Sequence, residues 1–239
     1  MKILEKDPPL AQDCQRPWIL VSLLYPFSRY GLYHIALYTF GPTILILSFR
    51  IIFSQSLIGI MIFLVGFILF IGYGMYYISF CVFDSTKVQK KARKIPDIYK
   101  PDKGELLSQY ILILASVAIC FFPTIIYYFL TRQADYRFWI LSGCGLFFFP
   151  MALLSAILFD GINELSPLFI GISILKVFFG YLKLCLFFII IAGLIIAISI
   201  CRIFPDFIIH GISFYLLLVI ANRLGWFYWW YRDKLGWRI

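Results

Sequence analysis

Charge in this chain is confined to short links between long apolar runs, and that arrangement leaves very few folds open. Six apolar stretches, at about residues 31–52, 57–80, 107–130, 138–159, 181–203 and 207–228, cover most of the 239 residues. A helix needs about 20 apolar residues to cross the hydrocarbon core of a bilayer, and only helices or closed barrels satisfy their own backbone there. Nothing outside the runs is long enough to bury a core. Hydrophobic residues make up 62% and charged residues 14%, against about 25% charged in a soluble domain. The chain is therefore expected to be all-α: a polytopic transmembrane helical bundle, six spans in three antiparallel hairpins plus short interfacial helices. It is expected to form a single membrane domain over 1–239, with an N-terminal interfacial segment at 1–30, a basic loop at 84–106 and an interfacial tail at 226–239.

The charges also set an orientation. The densest basic cluster, Lys87 to Lys103, lies in the one long link. Placing that link in the cytoplasm puts all but four of the 21 Lys and Arg on the inner side; the exceptions are Arg50, Arg132, Arg137 and Arg202. Asymmetry of Lys and Arg across the spans orients a membrane protein. Both termini then face the cytoplasm. A five-span reading would move the C-terminal basic group to the other side and weaken the asymmetry. The net charge of +9 flanks the spans, so it reads as a topology signal and as contact with anionic headgroups rather than with nucleic acid. Charges and Pro8-Pro9 stand where a cleavable signal would carry its apolar stretch, so the first span is expected to direct insertion.

Two apolar stretches are too short to span. Residues 18–27 end at Pro26. Residues 168–180, with Lys183, place Phe169, Ser173, Lys176, Gly180 and Lys183 at helical spacing, which puts both lysines on one face. That suits a helix in the headgroup plane; the alternative is a long fifth span starting near Leu168. The C-terminus interleaves Trp226, Trp229, Trp230 and Trp237 with Arg223, Arg232, Lys234 and Arg238. Indole rings and cations favour the inner headgroup layer. Trp226–Trp237 is therefore expected to be a helix leaving the membrane, with Trp226, Trp229, Trp230, Arg232 and Trp237 anchoring it at the inner face on lipid or on a partner.

Candidates for chemistry are few. His34 and His210 fall in opposite leaflets and cannot share a haem or a metal; each is expected to make an interhelical hydrogen bond. Asp84, Asp160, Glu164, Lys176, Lys183 and Arg223 lie at similar inner depth. They are the candidate polar cluster, held together by pairs such as Asp160–Lys176 or Glu164–Lys183. The five cysteines at or within the runs, Cys81, Cys120, Cys144, Cys185 and Cys201, read as small apolar residues. No catalytic, zinc, phosphate-loop or cofactor motif occurs, and no cofactor is expected. Pro42, Pro123 and Pro150 should kink their helices. Ala152/Ala156, Gly193/Ala197 and Gly59/Gly66 favour close helix contact.

Tyr25–Gly31 (YPFSRYG), Ile95–Leu107 (IPDIYKPDKGELL), Phe149–Leu168 (FPMALLSAILFDGINELSPL) and Asn222–Trp237 (NRLGWFYWWYRDKLGW) together resemble a family of uncharacterised bacterial multi-pass membrane proteins, a domain of unknown function. The resemblance implies a bacterial inner membrane and a single polytopic domain, and carries no activity or site residue with it. The functional expectation is a non-enzymatic accessory or scaffold subunit of an inner-membrane assembly, in contact with anionic lipid and with other membrane subunits. The alternative is a small transporter or lipid-handling protein with an inner-leaflet polar site.

Overall fold

The structure, a computed structural model, describes residues 18–50, 57–87, 103–159, 165–201 and 204–237. Among them every regular element is a helix. Helix α1 (Trp18–Leu24) runs into a single 3-10 turn (Tyr25–Phe27), where Pro26 interrupts the backbone ladder. Six helices are long and apolar enough to cross a membrane: α2 (Arg29–Ser48), α3 (Leu57–Ser85), α4 (Lys103–Thr131), α5 (Tyr136–Phe159), α7 (Phe178–Cys201) and α8 (Asp206–Leu235). The short α6 (Pro167–Lys176) precedes α7. An all-helical multi-pass architecture follows.

Local chemistry sets the ends. The Ser28 hydroxyl accepts from the Gly31 amide at 3.0 Å and caps α2. Asp135 caps α5 by accepting from the Arg137 and Phe138 amides, both at 3.1 Å. At the end of α8, Gly236 takes a left-handed φ of 66° and its amide bonds the Arg232 carbonyl, the conformation that glycine adopts most cheaply. Pro42, Pro123 and Pro150 all lie inside α2, α4 and α5 without ending them.

The six long helices contribute unequally to the interior. In α8 61% of the span is buried and in α5 50%, against 11–22% in the other four. Helix α8 is thus the central post. It meets α2 through Tyr38–Phe214 (4.0 Å) and Phe40–Phe207 (6.0 Å), α3 through Asn222–Ser85 (3.0 Å), and α7 through Tyr181–Phe227 (6.2 Å). Helices α4 and α5 form the closest hairpin; a Cβ at Gly145 would stand 2.8 Å from the Cys120 carbonyl oxygen. Helices α2 and α3 also run antiparallel, but rings join them: Phe49–Phe63 at 4.4 Å, Tyr38–Phe70 at 4.5 Å, and His34 against Tyr73 and Tyr77.

The core is concentrated at the end where α3, α5 and α8 finish, here called the basic-loop end. Tyr77, Cys81 and Val82 of α3, Leu112 and Ile113 of α4, Met151 to Leu158 of α5 and Tyr181, Leu184, Cys185 and Phe188 of α7 supply it. Toward the opposite end the same helices present exposed side chains, among them Met61 and Leu69, Phe129 and Leu130, and Ile196 and Ile200. In lipid an exposed leucine costs nothing, so tight packing and hydrogen bonding decide which halves associate.

Two boundaries differ from the sequence expectation. The fifth span starts at Phe178, and the chain breaks at Val177 (φ −126°, ψ 24°), so α6 and α7 are separate helices. The lysine-bearing face therefore does not run along one helix; Phe169, Ser173, Lys176 and Gly180 instead all meet the end of α8. The sixth helix also does not end near Tyr228. The helix expected over the aromatic tail is its direct continuation, running to Leu235 before Gly236 ends it. Of the small-residue pairs, Ala152 and Ala156 are fully buried. Gly59 is buried, while Gly66 and Gly193 have no described neighbour within 4 Å of an added Cβ.

Candidate functional site: a buried polar seam

Along its last three turns, α3 changes character. Tyr73, Tyr77, Cys81, Asp84 and Ser85 recur one helical turn apart and form a polar stripe on a helix that is otherwise apolar. Three other elements close over this stripe. The N-terminal turn contributes Tyr25, α2 contributes His34, and α8 contributes Asn222. Tyr25, Tyr77, Cys81, Ser85 and Asn222 are fully buried, and His34 and Asp84 nearly so.

His34 anchors the deep end of the seam. Its Nδ1 lies 2.8 Å from the Tyr30 carbonyl oxygen and its Nε2 lies 2.9 Å from the Tyr73 hydroxyl. A carbonyl can only accept, so Nδ1 carries the proton. In the neutral imidazole Nε2 then accepts from Tyr73, and both nitrogens are satisfied. The ring also stacks on Tyr77, with centroids 3.5 Å apart and planes within 6°. This is the interhelical bond expected of His34, set in a wholly aromatic surround. His210, by contrast, is exposed near the start of α8.

Toward the basic-loop end, Cys81 lies beside the hydroxyls of both Tyr25 and Tyr77, and Asp84 is within electrostatic range of all three. The thiol is a weak partner, and among the described residues neither hydroxyl meets a group in full hydrogen-bond geometry. Asn222 Nδ2 donates to Ser85 Oγ at 3.0 Å, while its Oδ1 is also unmatched. A buried polar group without a partner costs about 1–3 kcal/mol. Three of them at one junction is a large penalty for packing alone. Close approach of the helices is secured at Gly225, where a Cβ would fall 2.5 Å from the Val82 carbonyl oxygen.

Of the polar cluster expected from the sequence, the seam takes in Asp84. Asp160 and Glu164 lie outside the described residues, as does most of the basic loop, so their pairing with Lys176 and Lys183 is not described. Lys176 donates from Nζ to the Leu235 carbonyl oxygen at 3.1 Å and so caps α8. Lys183 is exposed on α7. Arg223 sits half-buried on α8 with its guanidinium 5.6 Å from the Trp230 ring. The aromatic tail divides in two. Trp226 and Trp237 are buried within the chain; Trp237 folds back past Gly236 to donate to Ser173 Oγ at 3.1 Å and to stack on Phe169 and Tyr228. Trp229 is half-buried, while Trp230 and Arg232 are exposed.

Reading the sequence for isolated ionisable groups placed Asn222 at the depth of the polar cluster but missed Tyr25, Tyr73, Tyr77 and Cys81. The available signal was periodic: hydrogen-bonding side chains at 73, 77, 81 and 85 within a span. Tyr25 and Asn222 carried no such signal, because only the tertiary structure brings them to α3.

Fold and seam together define an all-helical multi-pass membrane protein with a polar strip sealed into one end of its core. Comparison with family models, curated proteins and solved structures finds no match for the chain.

Proposed function

We propose that this chain is a small transporter or lipid-handling membrane protein that works through the seam between α2, α3 and α8. The observation that carries the reading is the run of buried hydrogen-bonding side chains on α3: where it meets the N-terminal turn and α8, the Tyr25 and Tyr77 hydroxyls and Asn222 Oδ1 find no hydrogen-bond partner among the described residues. Ionisable and polar groups at membrane depth are expensive, and where they occur they mark substrate, ion or proton paths. The basic-loop end is the cytoplasmic one in this reading, with both termini on that side of a bacterial inner membrane; the distribution of Lys and Arg and the family resemblance support it. No catalytic role is assigned. Vesicles reconstituted with the full chain should move fluorescent anionic phospholipid or small ions faster than protein-free vesicles, and Asp84→Asn should abolish the gain. Equal rates with and without protein for both probes would retire the reading.

A second reading rests on a different observation. Four of the six spans bury no more than 22% of their residues, and Gly66 and Gly193 offer small-residue surface that no described helix fills. An accessory or scaffold subunit would place partner helices there. Native mass measurement after gentle extraction distinguishes the two: a lone chain of 27.9 kDa argues for lipid at those faces, and a defined complex argues for partners.

A further inference from the structure

We propose that the seam is a proton half-path, entered at Asp84 from the basic-loop end and closed at His34. The inference rests on the transport reading above and names the ion involved. The span from Asp84 to Tyr73 is about 16 Å along α3 at 1.5 Å per residue. Every side chain on the stripe between them that faces the seam can both give and take a proton, through a hydroxyl or a thiol. The titratable groups facing this line are Tyr25 from the N-terminal turn, Tyr33 and Tyr38 on α2, and Tyr73, Tyr77 and Cys81 on α3 itself. Helix α8 presents the neutral Asn222, with Arg223 next to it in sequence.

The unmatched atoms are what a relay needs. The hydroxyls of Tyr25 and Tyr77 flank the Cys81 thiol, and neither is held in a full-geometry hydrogen bond among the described residues, so each turns against weak thiol contacts alone. A proton on the Asp84 carboxylate passes inward by successive hops, each breaking one O–H or S–H bond as the next forms. The net change is one proton moved from the aqueous face to His34 Nε2. The imidazole becomes imidazolium, Nε2 changes from acceptor to donor, and the Tyr73 hydroxyl turns from donor to acceptor. Nδ1 keeps its bond to the Tyr30 carbonyl throughout. The Tyr77 ring, stacked at 3.5 Å, faces the new cation with its π-system. Beyond His34 the line meets packed rings, Tyr38 against Phe70 and Phe214, so release to the other side requires α2, α3 and α8 to shift.

A structural role would leave His34 neutral and its surroundings static. The test uses the full chain in lipid vesicles with His210→Gln as background, so that His34 is the one imidazole. Time-resolved infrared spectroscopy follows its ring modes after a pH jump on the basic-loop side. Reversible conversion to imidazolium between pH 4 and 9 is expected, with Asp84→Asn and Tyr77→Phe each slowing it at least tenfold. Cys81→Ala, the smallest change on the line, should slow it too and keeps the test open if a larger substitution fails to fold. An imidazole that never converts, or that converts at the unaltered rate in all three variants, overturns the relay. The readout needs no transported solute. Lipid or ion movement that persists while His34 stays silent would therefore remove the half-path and leave the transport reading standing.

Discussion

Single residues in this protein act mostly by allowing or forbidding close approach. Gly225 of α8 faces the Val82 carbonyl and the backbone of Ser85 on α3. Neither is a flexible side chain, so an added methyl has nowhere to go. Gly225→Ala should destabilise the detergent-solubilised protein by about 1–3 kcal/mol, measured as a lower midpoint of thermal unfolding. Gly193→Ala, with open space around it, should leave the midpoint unchanged in the same assay. Asp135 works by charge. The Tyr127 hydroxyl and the amides of Phe138 and Arg137 donate to its carboxylate and hold the carboxyl below its ordinary value of 3.8. The depressed value means that the folded state favours the ionised form. Its stabilising contribution is therefore complete above pH 3.8 and fades as pH falls through the lower folded value. Asp135→Asn should flatten that acid limb of the stability profile, and an unchanged limb would show that the cap does not titrate.

At the level of elements, the end of α8 is the most heavily secured terminus in the chain. Gly236 turns the backbone, Lys176 of α6 takes the Leu235 carbonyl, and Trp237 docks on Ser173, Phe159 and Phe169. Helix α6 is thereby tied to α8 rather than left free at a surface. Gly236→Ala should cost about 1–2 kcal/mol, because a β-carbon disfavours the left-handed conformation. The expected sign is faster protease cleavage after residue 235, with cleavage in the α4–α5 turn unaffected. Sequence periodicity located every long helix, since a run of apolar residues in lipid can do little but form one. It gave a helix over the aromatic tail, and α8 does run on to Leu235; it did not foresee that Trp226 and Trp237 would be buried within the chain, because aromatic residues suit an interface and a packed interior equally well. It also treated 168–180 as one face, since no proline or glycine marks the break at Val177.

At the scale of the whole molecule, the packing is lopsided. The basic-loop end holds the polar seam, the capped tail and most of the buried side chains, while the opposite halves of α3, α4 and α7 stay open. A bundle pinned at one end can pivot there, which is the motion that release from a half-path requires. Orientation is the prediction that belongs here. Reporter fusions at Lys94 and after Ile239 should both be cytoplasmic; opposite sides would mean an odd number of crossings and would move the mouth of the seam to the wrong face.

The amino-acid sequence alone determined the class of fold, the number of long helices and an expected orientation. Those follow from bilayer thickness and from the cost of moving charge through hydrocarbon, and each is a property of local composition. Tertiary structure alone decided which groups became a site. Tyr25, His34, Cys81, Asp84 and Asn222 are spread across almost two hundred positions, and none is unusual in its own segment. They become a single strip because α8 lies against both α2 and α3 and because the N-terminal turn, held on α8 by Leu23 and Phe27, brings Tyr25 beside Cys81. Which buried polar atoms are left without partners is a matter of packing between distant segments, and no local pattern encodes it.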